Sequence, residues 1–75
     1  MKVKTELTFP GKLKEKPILC NLCKKFNITL SILEASFSTE TGWAIIVLEG
    51  REDEIGKTFA YLRKEGVEIE DTQEI

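Results

Sequence analysis

Along "VKTELTF", residues 3–9, apolar and polar positions alternate: Val3, Thr5, Leu7 and Phe9 fall on one side, Lys4, Glu6 and Thr8 on the other. That period of two predicts a strand with one dry face and one wet face. "PGKLKEK" then predicts a polar loop, and Pro17 suits the first turn of a helix, where its missing N–H needs no partner. In "PILCNLCKKFN" the period lengthens, placing Leu19, Leu22, Cys23 and Phe26 on one helical face. Lys24 and Lys25 favour the C-terminal end of that helix, and Asn27 suits a left-handed cap. Residues 28–38 read as a second strand, "STETG" as a turn and 43–49 as a third strand, together a hairpin. "REDEIGKTFAYLRKEG" predicts a second helix, with Glu52, Asp53 and Glu54 in its first turn, Arg63 and Lys64 in its last, and Gly66 as its stop. Its inward stripe is Ile55, Phe59 and Leu62. "VEIED" at 67–71 predicts a fourth strand with Val67 and Ile69 inward, and residues 72–75 are expected to fray.

The order is βαββαβ, the ferredoxin-like arrangement of the α+β class: a four-stranded antiparallel sheet with two helices on one face. Right-handed crossovers put both helices on the same side and leave the other side bare. Residues 1–75 are expected to form a single domain, near the lower size limit for folding on one core.

The bare side poses a difficulty. Trp43-Ala44-Ile45-Ile46-Val47-Leu48 is apolar throughout, so both faces of the third strand are greasy. Glu49 shares parity with Trp43, Ile45 and Val47, which assigns that set outward and Ala44, Ile46 and Leu48 toward the helices. Alternation fails at Ile32-Leu33, where two adjacent apolar residues point to a bulge or an element end. Leu33, Ala35 and Phe37 are then expected inward, and Ile32 outward beside Ser31. On this reading Trp43, Ile45 and Val47 expose on the order of 300–400 Å² on the open face. Covering that area is worth roughly 8–10 kcal/mol gross, against roughly 4–15 kcal/mol for association, enough for a dimer or a ligand pocket. The plainer alternative is that Trp43 lies flat over its own sheet.

Composition narrows the chemistry. Histidine is absent, which removes Ser-His and Cys-His nucleophile pairs and imidazole metal ligands, and there is no GxxxxGK[ST] phosphate loop. Both absences argue against an enzyme, and no cofactor is expected. Residues 1–25 carry seven Lys against two Glu, but single charges without interleaved aromatics read as solvated surface rather than a nucleic-acid site. "MKVKTELTFP" has no apolar signal-peptide region and no run is long enough to span a bilayer, so a cytoplasmic location without membrane insertion is expected. "CNLC" at Cys20–Cys23 has redox or metal spacing. The favoured reading is structural: Cys23 as a small core residue and Cys20 on the helix flank, with a redox pair or a metal shared between two chains as alternatives.

The run "KFNITLSILEASF…TGWAIIVLEGREDEIGKTFAYLRKEGVEIE", with the "LTF" strand and Pro17 ahead of it, resembles the NIL domain over nearly the whole chain. That resemblance implies a ferredoxin-like module of the kind found as the C-terminal regulatory domain of methionine-importing ABC ATPases and at the N-terminus of some ferredoxins. In the ATPases such domains pair and bind methionine at or near their interface. The length agrees with a free-standing form. The Asn-Ile-Leu signature falls on Ser31-Ile32-Leu33, with Ser in place of Asn: one hydroxyl on a shorter arm instead of two donors and a carbonyl.

The resulting expectation is a non-catalytic binding or regulatory domain acting as a homodimer. Its ligand would be a small amino acid, methionine or a related sulfur compound. Ser31, Ile32, Leu33, Trp43 and Ile45 are the candidate ligand-binding residues, and Ile32, Trp43, Ile45 and Val47 the candidate interface. The alternative is a protein-interaction module that docks its open sheet face on an enzyme, ferredoxin or transporter of sulfur amino-acid metabolism.

Overall fold

In the computed structural model, which describes residues 1–11, 17–38 and 40–75, the predicted order of elements is present in full. They are β1 (Lys2–Pro10), α1 (Ile18–Lys25), β2 (Ile28–Phe37), β3 (Thr41–Gly50), α2 (Glu52–Lys64) and β4 (Glu68–Glu74). Most of the predicted polar loop, residues 12–16, and Thr39 of the predicted turn lie outside the described residues. The strands form one antiparallel sheet in the order β2-β3-β1-β4, so β2 and β4 are its edges.

The period of two in β1 holds without exception: Val3, Thr5, Leu7 and Phe9 are buried and their neighbours are not. They meet Ala44, Ile46 and Leu48 of β3, which face the same layer as Ile18 and Leu22 of α1 and Ile55 and Leu62 of α2. The parity assigned to β3 from Glu49 is therefore the parity found. On α2 the inward stripe also includes Thr58, whose hydroxyl is satisfied by donating to the Glu54 carbonyl at 2.8 Å, while Phe59 is only partly buried.

Helix α2 ends as its Gly predicts. Gly66 sits at φ 92°, a left-handed conformation that costs glycine little. Its N–H donates to the Arg63 carbonyl at 3.1 Å, and the Val67 N–H donates to the Leu62 carbonyl at 3.0 Å. This is the Schellman pattern, and its usual apolar contact is supplied by Val67 and Leu62, both in the core.

Helix α1 differs from its prediction in three places. Pro17 is the residue before the helix, at φ −80° and ψ 59°, rather than in its first turn. The helix ends on an extended residue, Phe26, so Asn27 is not a left-handed cap; its N–H donates to the Glu54 carboxylate at 2.8 Å instead. Cys23 is exposed, not a core residue: the buried stripe is Ile18 and Leu22, flanked by Leu19 and Phe26. At about 100° per residue, Cys23 is turned past the far side of that narrow stripe.

The polar tail also differs. Residues 72–75 do not fray: Gln73 pairs with Lys4, Glu74 with Val3, and the Ile75 N–H donates to the Lys2 carbonyl at 2.9 Å. The ladder passes the polar stretch through a bulge opposite Thr5. Asp71 takes φ 46° there, a conformation Asp tolerates better than most residues. Thr5, fully buried, uses its hydroxyl on the Glu70 carbonyl at 3.2 Å and the Thr72 hydroxyl at 2.9 Å.

Two stability changes test this layer. Leu62→Ala empties a site with no solvent exposure and is expected to cost about 2–5 kcal/mol in urea unfolding. That is a large share of the roughly 5–15 kcal/mol of a small domain. Glu54 is held below its usual 4.5 first by the Asn27 N–H and then by Lys57, whose ammonium lies 3.2 Å from the carboxylate. A carboxylate depressed in the fold stabilises it above the unfolded value and loses that contribution as pH falls through the folded one. Melting temperature is thus expected to fall on acidification below about pH 4.5, and to fall less steeply in Glu54→Gln.

Candidate functional site

The register of the hairpin decides which candidate residues meet. Across β2 and β3, Leu30 pairs with Leu48 and Ile32 with Ile46, both on the helix side; Ser31 pairs with Val47 on the open side. The register then shifts between Ile32 and Glu34, leaving Leu33 as the inserted residue of a bulge. Beyond it Glu34 pairs with Ile45 and Ser36 with Trp43 on the open side, and Ala35 with Ala44 on the helix side. The bulge foreseen at Ile32-Leu33 exists, but Ile32 faces the helix side and not outward beside Ser31. The structure thus brings Ser31, Trp43, Ile45 and Val47 onto one face, sets Ile32 on the other, and places Leu33 at the kink.

Exposure departs from expectation in the same way. Val47 is only 8% exposed, and Trp43 and Ile45 are half-buried. Each lies between polar cross-strand neighbours: Val47 between Lys4 and Ser31, Ile45 between Glu6 and Glu34, Trp43 between Thr8 and Ser36. Long polar side chains cover apolar surface with their stems, so the open face is not a bare apolar patch. Among the described residues, the large exposed apolar side chains apart from the terminal Met1 and Ile75 lie on β2, where Ile32 is 54%, Leu33 56% and Phe37 59% exposed. Ala35 and Phe37 were expected inward; they share the side of the helices but lie beyond their cover.

Helix length explains this. Eight residues of α1 reach about 12 Å, whereas ten residues of β2 reach about 33 Å. A helix that short cannot roof the whole edge strand.

Sequence reasoning missed the seat of Phe37. Its ring lies 5.6 Å from that of Phe9, over Gly42, where an added Cβ would sit within 2.1 Å of the ring. An aromatic residue across a hairpin from a strand glycine was the available signal. Beside it opens an apolar hollow of about 280 Å³ lined by Phe9, Pro17, Leu19, Cys20 and Phe37 among others. Among the described residues no group of three or more His, Cys, Asp or Glu is placed to hold a metal ion, and no helix is long and apolar enough to cross a membrane.

The family model for the NIL domain matches residues 4–71. The chain belongs to the NIL domain family. Methionine import ATP-binding protein MetN of Halalkalibacterium halodurans is 35% identical over 69 residues, covering 87% of this chain and 20% of that protein. The MetN of Haemophilus influenzae is 35% identical over 66 residues, covering 83% of this chain and 19% of the relative. This NIL domain therefore spans about a fifth of the length of the curated relatives it matches. A solved structure, the C-terminal domain of an ABC transporter ATP-binding protein from Enterococcus faecalis, superposes with a TM-score of 0.76 at 27% identity, covering 92% of this chain and 80% of that one. A de novo designed protein, Foldit4, shares the fold at a TM-score of 0.59 and 9% identity.

The thiol geometry of this NIL domain is directly measurable. Cys20 and Cys23 are both free and exposed, so both are expected to react with an aromatic disulfide reagent without denaturant. A single thiol released per native chain would contradict the exposure of Cys23.

Proposed function

We propose that this NIL domain is a non-catalytic regulatory module that works as a pair and binds a small amino acid, methionine or a related sulfur compound. The observation that carries the reading is its 35% identity over 69 residues to a methionine import ATP-binding protein, aligned along almost the whole chain. The exposure of the Ser31-Ile32-Leu33 segment supports it. Ser31 supplies a polar contact on the open face, with Trp43 and Ile45 as an apolar wall on the same face, while Leu33 at the kink and Ile32 on the helix side add an apolar edge. The signal passes on as a change in how the pair sits against its neighbour, since a ligand shifts an equilibrium only by its difference in affinity for the two states.

Thermal shift and titration calorimetry with methionine, homocysteine and cysteine test the reading. A ligand that binds only the folded state stabilises it by about 2.7 kcal/mol at a hundred times its Kd. Restoring the longer amide with Ser31→Asn is expected to strengthen binding by about one hydrogen bond, 0.5–1.5 kcal/mol. Flat melting curves with all three amino acids at millimolar concentration would defeat the proposal.

A further inference from the structure

We infer that Cys20 and Cys23 form a two-thiolate site for a soft monovalent cation, Cu(I), on the exposed side of α1. The inference does not rest on the amino-acid reading above, and the two stand or fall separately.

The first support is what the fold leaves unexplained. Cysteine is among the most buried residue types, and a free one ordinarily packs as a small apolar side chain. Here that explanation fails for both residues. Cys20 and Cys23 are free and exposed, and α1 fills the core with Ile18 and Leu22 instead.

The second support is their separation. Residues three apart on an α-helix are turned about 60° from each other and lie about 4.5 Å apart along the axis. Their Cβ atoms are then about 5–6 Å apart. A disulfide needs about 3.5–4.5 Å between them, so closing one would distort the helix. A single ion between the sulfurs asks for no distortion. Two thiolate–metal bonds of about 2.3 Å allow the sulfurs to stand up to about 4.6 Å apart, within reach of both side chains. Helical hydrogen bonds run on either side of the pair: the Asn21 N–H donates to the Pro17 carbonyl at 2.9 Å and the Phe26 N–H to the Leu22 carbonyl at 3.0 Å.

The third support selects the ion. Zinc takes four ligands, and calcium or magnesium about six or more oxygens. Among the described residues no group of three or more His, Cys, Asp or Glu is gathered, and α1 itself carries no carboxylate. Two sulfurs alone suit a soft ion that prefers thiolates and is satisfied by two of them, which is Cu(I).

The surroundings fit the same ion. Binding releases both thiol protons to solvent and leaves a complex with one net negative charge. Lys24 stands four residues after Cys20, beside it on the helix surface, and the first turn of α1 contains no acidic residue to repel that charge. Cys20 also borders the hollow that Phe9, Leu19 and Phe37 line, an apolar wall that disfavours strongly hydrated ions.

Anaerobic titration of the whole chain with Cu(I), in competition with a chromophoric Cu(I) chelator, tests the inference. One copper is expected per chain, and X-ray absorption at the copper edge is expected to show two sulfur neighbours and no oxygen or nitrogen. Cys20→Ser and Cys23→Ser each remove a ligand. Each is expected to weaken binding by more than the roughly 10–100-fold that loss of a residue hydrogen-bonded to a metal ligand costs. Both side chains are exposed, so neither change is expected to alter the circular dichroism spectrum. Wild-type affinity in either serine variant, copper held by oxygen or nitrogen, half a copper per chain held by four sulfurs, or a preference for zinc over Cu(I) would overturn the site. The X-ray absorption result decides on the unaltered chain, whatever the variants do to folding.

Discussion

The fold depends on one apolar layer squeezed between the sheet and two helices. Leu7, Ile46 and Leu48 enter it from the two central strands, Leu22 from α1 and Ile55 and Leu62 from α2, all at or close to zero exposure. A chain of this size has no second core to fall back on, so the reach of the helices sets the reach of the ordered interior. Over β1 and β3 the cover is complete. Over β2 it gives out, because α1 has two turns and the strand continues past them. The exposed apolar residues of β2 follow from that difference in length, not from an excess of apolar residues in the chain.

Burial on the open face follows a different rule. Among the described residues no helix lies over Val47, yet it is buried, at 8% exposure, between its cross-strand neighbours on β1 and β2. A central strand can thus be apolar on both faces without demanding a partner, provided its cross-strand neighbours are long or polar enough to shelter it. That answers the problem raised by the Trp43–Leu48 run. The apolar surface that does lack a cover is at the rim.

Much of this was legible in the sequence. The strict alternation of β1, the acids and bases at the ends of α2 and the Gly66 stop each had a single reading, and each element lies where that reading put it. β3 was assigned correctly because Glu49 at its end fixes which parity meets water. The β2 bulge was legible as a break in alternation, but polarity could not say whether Ile32 or Leu33 was the extra residue; that choice changes the side of Ile32 and leaves Ala35 and Phe37 on the helix side as expected. Cys23 was misplaced because an eight-residue helix buries too few side chains to define the width of its stripe. The four-residue polar tail looked free because nothing local holds it; its hydrogen bonds go to β1, some seventy positions away, through a buried threonine hydroxyl.

The contrast between the two rims has a consequence for how far assembly can go. Strand-to-strand association is dangerous when both rims are receptive, since each added copy presents a fresh template and growth has no end. Here the outer rim, β4, is acidic and interrupted by the left-handed turn at Asp71. Three strands from the unguarded β2 edge, the sheet thus carries an acidic, interrupted rim that resists the docking of a further strand.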